Sequence, residues 1–125
     1  MEQAKVYYTD LRAKLGTNLL QKLEKLIRTA GIGDIDMEKK LVAIKIHFGE
    51  PGNLSYLRPN YDKVVADVVK SLGGVPFLTD CNTLYPGRRK NALEHIDAAY
   101  ENGFSPFSTG CHVIIADGLK GNDEV

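Results

Sequence analysis

Residues 41–48 read Leu-Val-Ala-Ile-Lys-Ile-His-Phe, a run that is mostly apolar. A short apolar run of this kind is typical of a strand that is covered on both faces, so we expect it near the centre of a parallel sheet. A loop with two Gly and two Pro follows over residues 49–59. Valines at helical spacing from Val64 to Val69 then predict a helix, which Gly73 and Gly74 end.

The segments on either side repeat this alternation of strand and helix. The expected elements are, in order, a strand over 5–9, a helix capped at Thr17 and ended by Gly31, the strand over 41–48, the helix ended by Gly73, a strand over 76–79, a helix from Asn91 to Asn102, and a strand over 112–116. The order β-α-β-α-β-α-β predicts a three-layer α/β domain with a mainly parallel sheet and right-handed crossovers. We expect residues 1–125 to form one domain, the N-terminal portion of a longer architecture.

Composition and charge exclude several classes of protein. Apolar residues make up 43% and charged residues 26% of the 125 residues, which is typical of a globular domain and not of a disordered or membrane-spanning chain. Sixteen basic and sixteen acidic residues give no net charge, so we expect neither nucleic acid nor a membrane as partner. No signal peptide is visible, and Cys81 and Cys111 are expected to be buried, reduced thiols in the cytoplasm.

Polar residues follow each expected strand. They are Asp10; His47 and Glu50; Asp80, Asn82 and Thr83; and Asp117. Because the carboxyl ends of parallel strands meet at one edge, we expect these side chains to surround a shared opening, where α/β sheets bind ligands. The alternative is that each one only caps a helix or forms a turn.

Lys45 is the most informative of these positions, because an ionised lysine on a doubly covered strand needs a partner. Either a carboxylate of Asp10, Asp80 or Glu50 neutralises it, or a ligand anion does. His47 is either a metal ligand or general base, or a hydrogen-bonded packing residue. His95 is expected at the surface, and His112 has no evident partner.

These considerations give a candidate site in three parts. The catalytic candidates are His47 and Glu50; the ligand-binding candidates are Lys45, Arg58, Asn82, Thr83 and Arg89; the metal-binding candidates are Asp10, Asp80 and Asp117. Carboxylates suit Mg²⁺ or Mn²⁺ and, together with His47, iron, although no ligand spacing requires a metal. Residues 85–90 form a basic cluster before the third helix, which is either an anion site or a solvated loop.

Five stretches resemble a known family: 6–12 (Val-Tyr-Tyr-Thr-Asp-Leu-Arg), 42–53 (Val-Ala-Ile-Lys-Ile-His-Phe-Gly-Glu-Pro-Gly-Asn), 56–59 (Tyr-Leu-Arg-Pro), 77–85 (Phe-Leu-Thr-Asp-Cys-Asn-Thr-Leu-Tyr) and 113–119 (Val-Ile-Ile-Ala-Asp-Gly-Leu). The chain is similar to the domain-of-unknown-function family numbered 362, whose members are often described as iron-sulfur centre proteins. The family's motif residues would be Lys45, His47, Glu50, Arg58, Asp80, Asn82, Thr83, Arg89, Asn91 and Asp117. Family members carry ferredoxin-like cysteine clusters, but this chain has no C-x-x-C-x-x-C run. We therefore expect no [4Fe-4S] cluster in this chain alone.

The leading hypothesis is a ligand-binding α/β domain of an iron-sulfur-centre-type protein, with a small anionic molecule or a divalent metal at the carboxyl ends of the strands. The alternative is a structural domain that docks a ferredoxin-like portion or partner subunit and has no site of its own. Whether the complete protein is an enzyme stays open.

Overall fold

The computed structural model describes residues 3–123. Its elements are α1 (Leu19–Thr29), a 3-10 turn (Ile32–Asp34), β1 (Leu41–Lys45), α2 (Pro59–Ser71), β2 (Val75–Asp80), α3 (Ala92–Glu101), α4 (Pro106–Thr109) and β3 (His112–Ile115). The predicted strand–helix alternation from residue 41 onward is therefore present. The short helix α4, which Ser105 caps, has no counterpart in the sequence-based expectation.

The three strands form a parallel sheet in the order β1-β2-β3. When strands follow one another in chain order, successive right-handed crossovers place their helices on one face of the sheet. The buried core fits this rule, because Ala66 of α2 and Ala99 of α3 both belong to the cluster that contains Leu78 and Val113. The α/β class and the parallel sheet are confirmed, whereas the full three-layer order is not.

The central strand contains a proline at a position where it disrupts no pairing. Val75 donates its N–H to Lys40 of the β1 side, so the next residue, Pro76, faces the β3 side. Pairing with β3 begins only at Phe77, opposite His112. The missing N–H of Pro76 is therefore not required by the ladder, which explains its presence in a central strand.

β1 differs from its expected length and place. It ends at Lys45 rather than at residue 48, and it is the edge strand of the described sheet rather than the centre. Its residues alternate between exposed and half-buried, and Leu41 is 78% exposed. The apolar run was taken as evidence for two covered faces, but the helices cover one.

The expected strand over residues 5–9 is wrong. Residues 3–10 have no regular structure, and Val6 is 90% exposed. High β-propensity forms no strand without a paired neighbour. Asn18, and not Thr17, caps α1: its side chain accepts from the Gln21 N–H, and the Gln21 side chain accepts from the Asn18 N–H.

An aromatic cluster closes the core beneath the carboxyl end of β1. Phe48 and Phe104 are fully buried, and their rings meet edge to face with centroids 5.3 Å apart. The His95 ring contacts Phe48 in the same way at 5.8 Å. Edge-to-face pairs of this kind add to the burial energy of the rings.

Phe104→Ala is expected to lower the free energy of unfolding by about 3–5 kcal/mol, because it leaves a cavity in this cluster. Phe107 is a matched control three residues away, since it is fully exposed, and Phe107→Ala should change stability by less than about 0.5 kcal/mol. Denaturant titration of both variants measures the difference. Equal effects would contradict the placement of Phe104 in the core.

α2 buries a carboxyl group on its inward face. Asp62 is 4% exposed, and its Oδ2 has no hydrogen-bond partner among residues 3–123. Burial raises the pKa of Asp62 from its usual 3.8 to about 6, and the hydrogen bond from its own backbone N–H lowers it only in part. The folded protein thus binds more protons than the unfolded chain between about pH 4 and 6, so stability falls as pH rises through that range.

Asp62→Asn should raise the free energy of unfolding at pH 8 by about 2 kcal/mol, because the buried charge is removed. The variant should also lose the fall in stability between pH 4 and 6. Asp67→Asn, on the exposed side of the same helix, is the control, and its cost should stay near the 0.5 kcal/mol or so of an exposed ion pair with Lys63. Denaturant titrations at several pH values test this, and an unchanged pH dependence in Asp62→Asn would refute it.

Candidate functional site

Asp80 is the last residue of β2 and lies at the centre of a charged cluster. It is 5% exposed, and its Oδ1 accepts a hydrogen bond of 2.9 Å from the Cys81 N–H. Lys45 lies opposite Thr79 in the neighbouring strand, which brings its Nζ to 3.1 Å from the same oxygen. Of the two sources of neutralisation expected for Lys45, the internal carboxylate is the one observed.

Arg89 connects Asp80 to a second carboxylate. Its guanidinium is buried, pairs with Glu50, and places Nη1 3.6 Å from Asp80 Oδ2. The Tyr85 hydroxyl accepts from Arg89 Nη2 at 2.6 Å and donates to Glu50 Oε2 at 3.1 Å. Two bases and two acids, Lys45, Arg89, Asp80 and Glu50, therefore form a neutral group, which we call the charged network.

His95 completes the network from the helix side. It is fully buried on α3, and its Nε2 lies 3.5 Å from Asp80 Oδ2, a distance too long for a good hydrogen bond. Neither ring nitrogen of His95, nor Asp80 Oδ2, has a hydrogen-bond partner within residues 3–123. Two ring nitrogens and one carboxylate oxygen beside the network therefore make no hydrogen bond to the described residues.

The expected surface position of His95 is wrong. It follows from the apolar periodicity, which predicts Leu93, Ile96, Ala99 and Tyr100 as the inward face of α3, whereas the buried residues of this helix are Ala92, His95, Ala98 and Ala99. Leu93 is 68% and Tyr100 48% exposed. Alanines on the inward face allow the helix to approach the sheet closely. The run of small residues around His95 is the signal that could have identified it.

The network shifts the pKa values of its two acids downward. Burial raises the pKa of Asp80, but the facing His95 ring, the Cys81 N–H and Lys45 together outweigh burial and lower it to about 2. Burial likewise raises the pKa of Glu50, and the Arg89 guanidinium and the Tyr85 hydroxyl lower it below its usual range. Both acids are ionised at neutral pH, so their stabilising effect is complete above about pH 4–5 and is lost in acid.

The loop between β1 and α2 is held against the core by a glycine. Gly49 has a φ of 86°, and a Cβ there would lie 2.6 Å from both the Asn102 amide and the Tyr56 ring. The Asn102 amide donates to the Phe48 carbonyl at 2.9 Å. This packing fixes Glu50 where Arg89 reaches it.

Asp117 and Asn82 form a second contact at the carboxyl edge of the sheet. The Asn82 backbone N–H and side-chain amide donate to Asp117 at 3.0 Å, and the amide also donates to the Gly118 carbonyl. These bonds join the loop after β2 to the segment after β3. An open cleft of about 750 Å³ lies between the two; it is lined by Cys81, Asn82, Thr83, Leu84, Lys90, Ala116, Asp117, Lys120, Gly121, Asn122 and Asp123.

The remaining candidates lie apart from the network or are committed to local bonds. Asp10 pairs with Lys22 of α1 and follows no strand. Arg58 is an exposed residue at the N-cap of α2. The Thr83 hydroxyl donates to the Tyr85 carbonyl. His47 is exposed, and its Nδ1 accepts from the Gly49 N–H at 3.0 Å.

The three metal candidates, Asp10, Asp80 and Asp117, are not brought together. Each has its own partner, and among the described residues no three His, Cys, Asp or Glu side chains are placed to hold a metal ion. The two cysteines are also separate: Cys81 is exposed, contrary to expectation, and Cys111 is buried. Two thiols cannot supply the four ligands of a [4Fe-4S] cluster.

The chain forms an α/β domain whose charged network lies at the carboxyl edge of the sheet. Comparison with known families shows the one to which it belongs. The model of the family described as domain of unknown function (DUF362) matches residues 42–125, well over half of the chain. The chain belongs to this family. No curated protein and no solved structure matches it. The matched part includes the whole network, whereas Asp10 lies outside it.

Arg89→Met should lower the free energy of unfolding by about 3–5 kcal/mol, because it leaves Glu50 and the buried Asp80 without their shared cation. The neighbouring Arg88 provides the control, since it is exposed and pairs with Glu101 on the surface. Arg88→Met should therefore cost less than about 1 kcal/mol. Urea unfolding at pH 7 compares the two, and a similar cost for both variants would be inconsistent with a buried network.

Proposed function

We propose that this domain, as part of an iron-sulfur-centre-type protein, binds a small anionic molecule in the cleft at the carboxyl edge of the sheet. The observation that carries the proposal is the position of the cleft, beside the charged network and between the loop 81–91 and residues 116–123. Parallel α/β sheets bind ligands outside the carboxyl ends of their strands. The proposal concerns binding and assigns no reaction.

The charges that line the cleft support an anion as ligand. Lys90 and Lys120 both line it and are exposed. Two acids, Asp117 and Asp123, also line it, and three hydrogen bonds from Asn82 already occupy the Asp117 carboxylate. α3 begins just after Lys90, so its N-terminus adds a partial positive charge on the same side.

Cys81 lines the cleft and donates its backbone N–H to the Asp80 carboxylate. Asp80 therefore lies between the cleft and Lys45. The Lys45 side chain is 64% exposed, and its single contact to Asp80 leaves other N–H donors for solvent or ligand. Arg89 is different: it is 4% exposed and fully engaged with Glu50 and Tyr85. In this proposal Arg89 fixes the loop, and Lys90 and Lys120, which line the cleft, neutralise the ligand, whereas Lys45 stays paired with Asp80.

Two further roles from the sequence are revised in the proposal. Glu50 is paired with Arg89 and has a lowered pKa, so it does not serve as a proton donor at neutral pH. Neither a divalent metal nor a [4Fe-4S] cluster fits the residues described, so no step depends on one. Asn82 and Thr83 position the loop that forms one wall of the cleft.

Citrate and pyrophosphate at low ionic strength should raise the melting temperature of the protein in a thermal-shift assay, because a ligand that binds only the folded state stabilises it. The double variant Lys90→Gln, Lys120→Gln should lose at least about half of that rise, since it removes both positive charges from the cleft. The double variant Lys40→Gln, Lys63→Gln removes the same number of charges from two exposed ion pairs outside the cleft and should respond like the original protein. An equal response of all three proteins, or none in the original, would refute anion binding in this cleft.

A second candidate function is favoured by a different observation. The sheet face opposite α2 and α3 carries exposed apolar residues on all three strands, with Leu41, Val75 and Ile114 each about half exposed or more, although Thr79 on the same face is buried. Parallel sheets are normally covered on both faces. We propose that a ferredoxin-like portion or partner subunit supplies the third layer, as a docking domain requires.

A further inference from the structure

The sheet face opposite α2 and α3 presents neighbouring side chains from all three strands, most of them exposed; Phe77 is half-buried and Thr79 is buried. The strand register places its residues in three rows: Leu41 beside Val75; Ala43, Phe77 and His112; and Lys45, Thr79 and Ile114. We call this surface the open face. Leu41 is 78%, Val75 53% and Ile114 48% exposed. Adjacent exposed apolar residues of this kind mark interaction surfaces, whereas scattered ones do not.

The charges of the open face indicate what covers it. Among the described strand residues, the ionisable side chains on this face are Lys45 and His112. Lys45 makes one contact to the buried Asp80, and its amino group is otherwise exposed. Asp80 belongs to the opposite face, with Leu78. A second copy of the chain would present the same bases and would not complement them. A partner with acidic side chains beside an apolar surface would.

The geometry of the sheet indicates the form of the partner. The opposite face of the same three strands is covered by α2 and α3, whose small residues, such as Ala66 and Ala99, lie against the sheet. A helix with an apolar stripe is the element that covers a parallel sheet in α/β domains. Such a stripe would lie over the row of Ala43, which is exposed, and Phe77, which is half-buried, between Leu41 at one end and Ile114 at the other.

We propose that the open face binds an amphipathic helix of a partner polypeptide, with apolar residues over Val75, Phe77 and Ile114 and acidic residues opposite Lys45 and His112. This inference rests on the docking function and specifies its partner. The helix completes the third layer that the sequence predicts for the sheet.

Two synthetic 18-residue helical peptides with the same Leu/Ala stripe, one with Glu and one with Lys on the polar face, test the proposal. Fluorescence anisotropy at low salt should show the Glu peptide binding at least about tenfold more tightly, with affinity that falls as salt is added. Val75→Glu and Ile114→Glu should each abolish binding. Leu54→Glu is the control, because Leu54 is 85% exposed on a loop away from the sheet, and it should bind normally. Circular dichroism confirms that each variant is folded.

The outcomes separate this inference from the docking function on which it rests. If the Lys peptide binds as well as the Glu peptide, the face docks a partner but the proposal of an acidic helix is wrong. The same holds if sedimentation shows a dimer that the Val75→Glu variant no longer forms. If neither peptide binds and the protein stays monomeric, the docking function fails as well. Loss of binding in Leu54→Glu would show that the peptide does not occupy the open face.

Discussion

The burial of the Asp80 carboxylate is the constraint on which this structure depends. A charge removed from water costs several kcal/mol unless it is paired and hydrogen-bonded. Here the two cations come from different places along the chain, Lys45 from β1 and Arg89 from the loop before α3. Neutralising one acid therefore fixes the relative positions of two strands and a loop.

The same constraint shapes the surface that is available for binding. Because Arg89 pairs with Asp80 and Glu50, it holds the loop 81–91 in place. The outer side of this loop forms one wall of the cleft. Lys45 reaches Asp80 from the open face, so its amino group belongs both to the network and to the surface.

The sequence predicted those parts of the fold whose signals are local. The capping residue Asn91 with Glu94 located the start of α3, and the glycines after Leu72 located the end of α2. Short apolar runs located β1, β2 and β3. The strand over 5–9 failed because a strand requires a neighbour, and the pairing partner of a segment is not a local property.

The sequence indicated which residues could belong to the site better than it indicated how those residues are arranged. Glu50 and Asp80, from the group predicted at one edge, do lie together, whereas Asp10 from the same group pairs with Lys22 instead. Strand order decides which face the helices cover, and order is not encoded in any single segment. His95 was missed because burial of an imidazole depends on how closely α3 approaches the sheet. The sequence predicts helices on both faces of the sheet, but one face is exposed. This difference was also missed because it depends on the strand order.

The anchoring of Arg89 has a consequence for how the chain tolerates insertions and deletions. Loops usually accept changes of length, since their backbone contacts little. In the segment between Asp80 and Asn91, a shift of one position would bring Arg88 or Lys90 to the place between the two acids and leave the surface pair with Glu101 unmade. This connection should therefore keep its length while its exposed residues, such as Leu84 and Pro86, are free to vary.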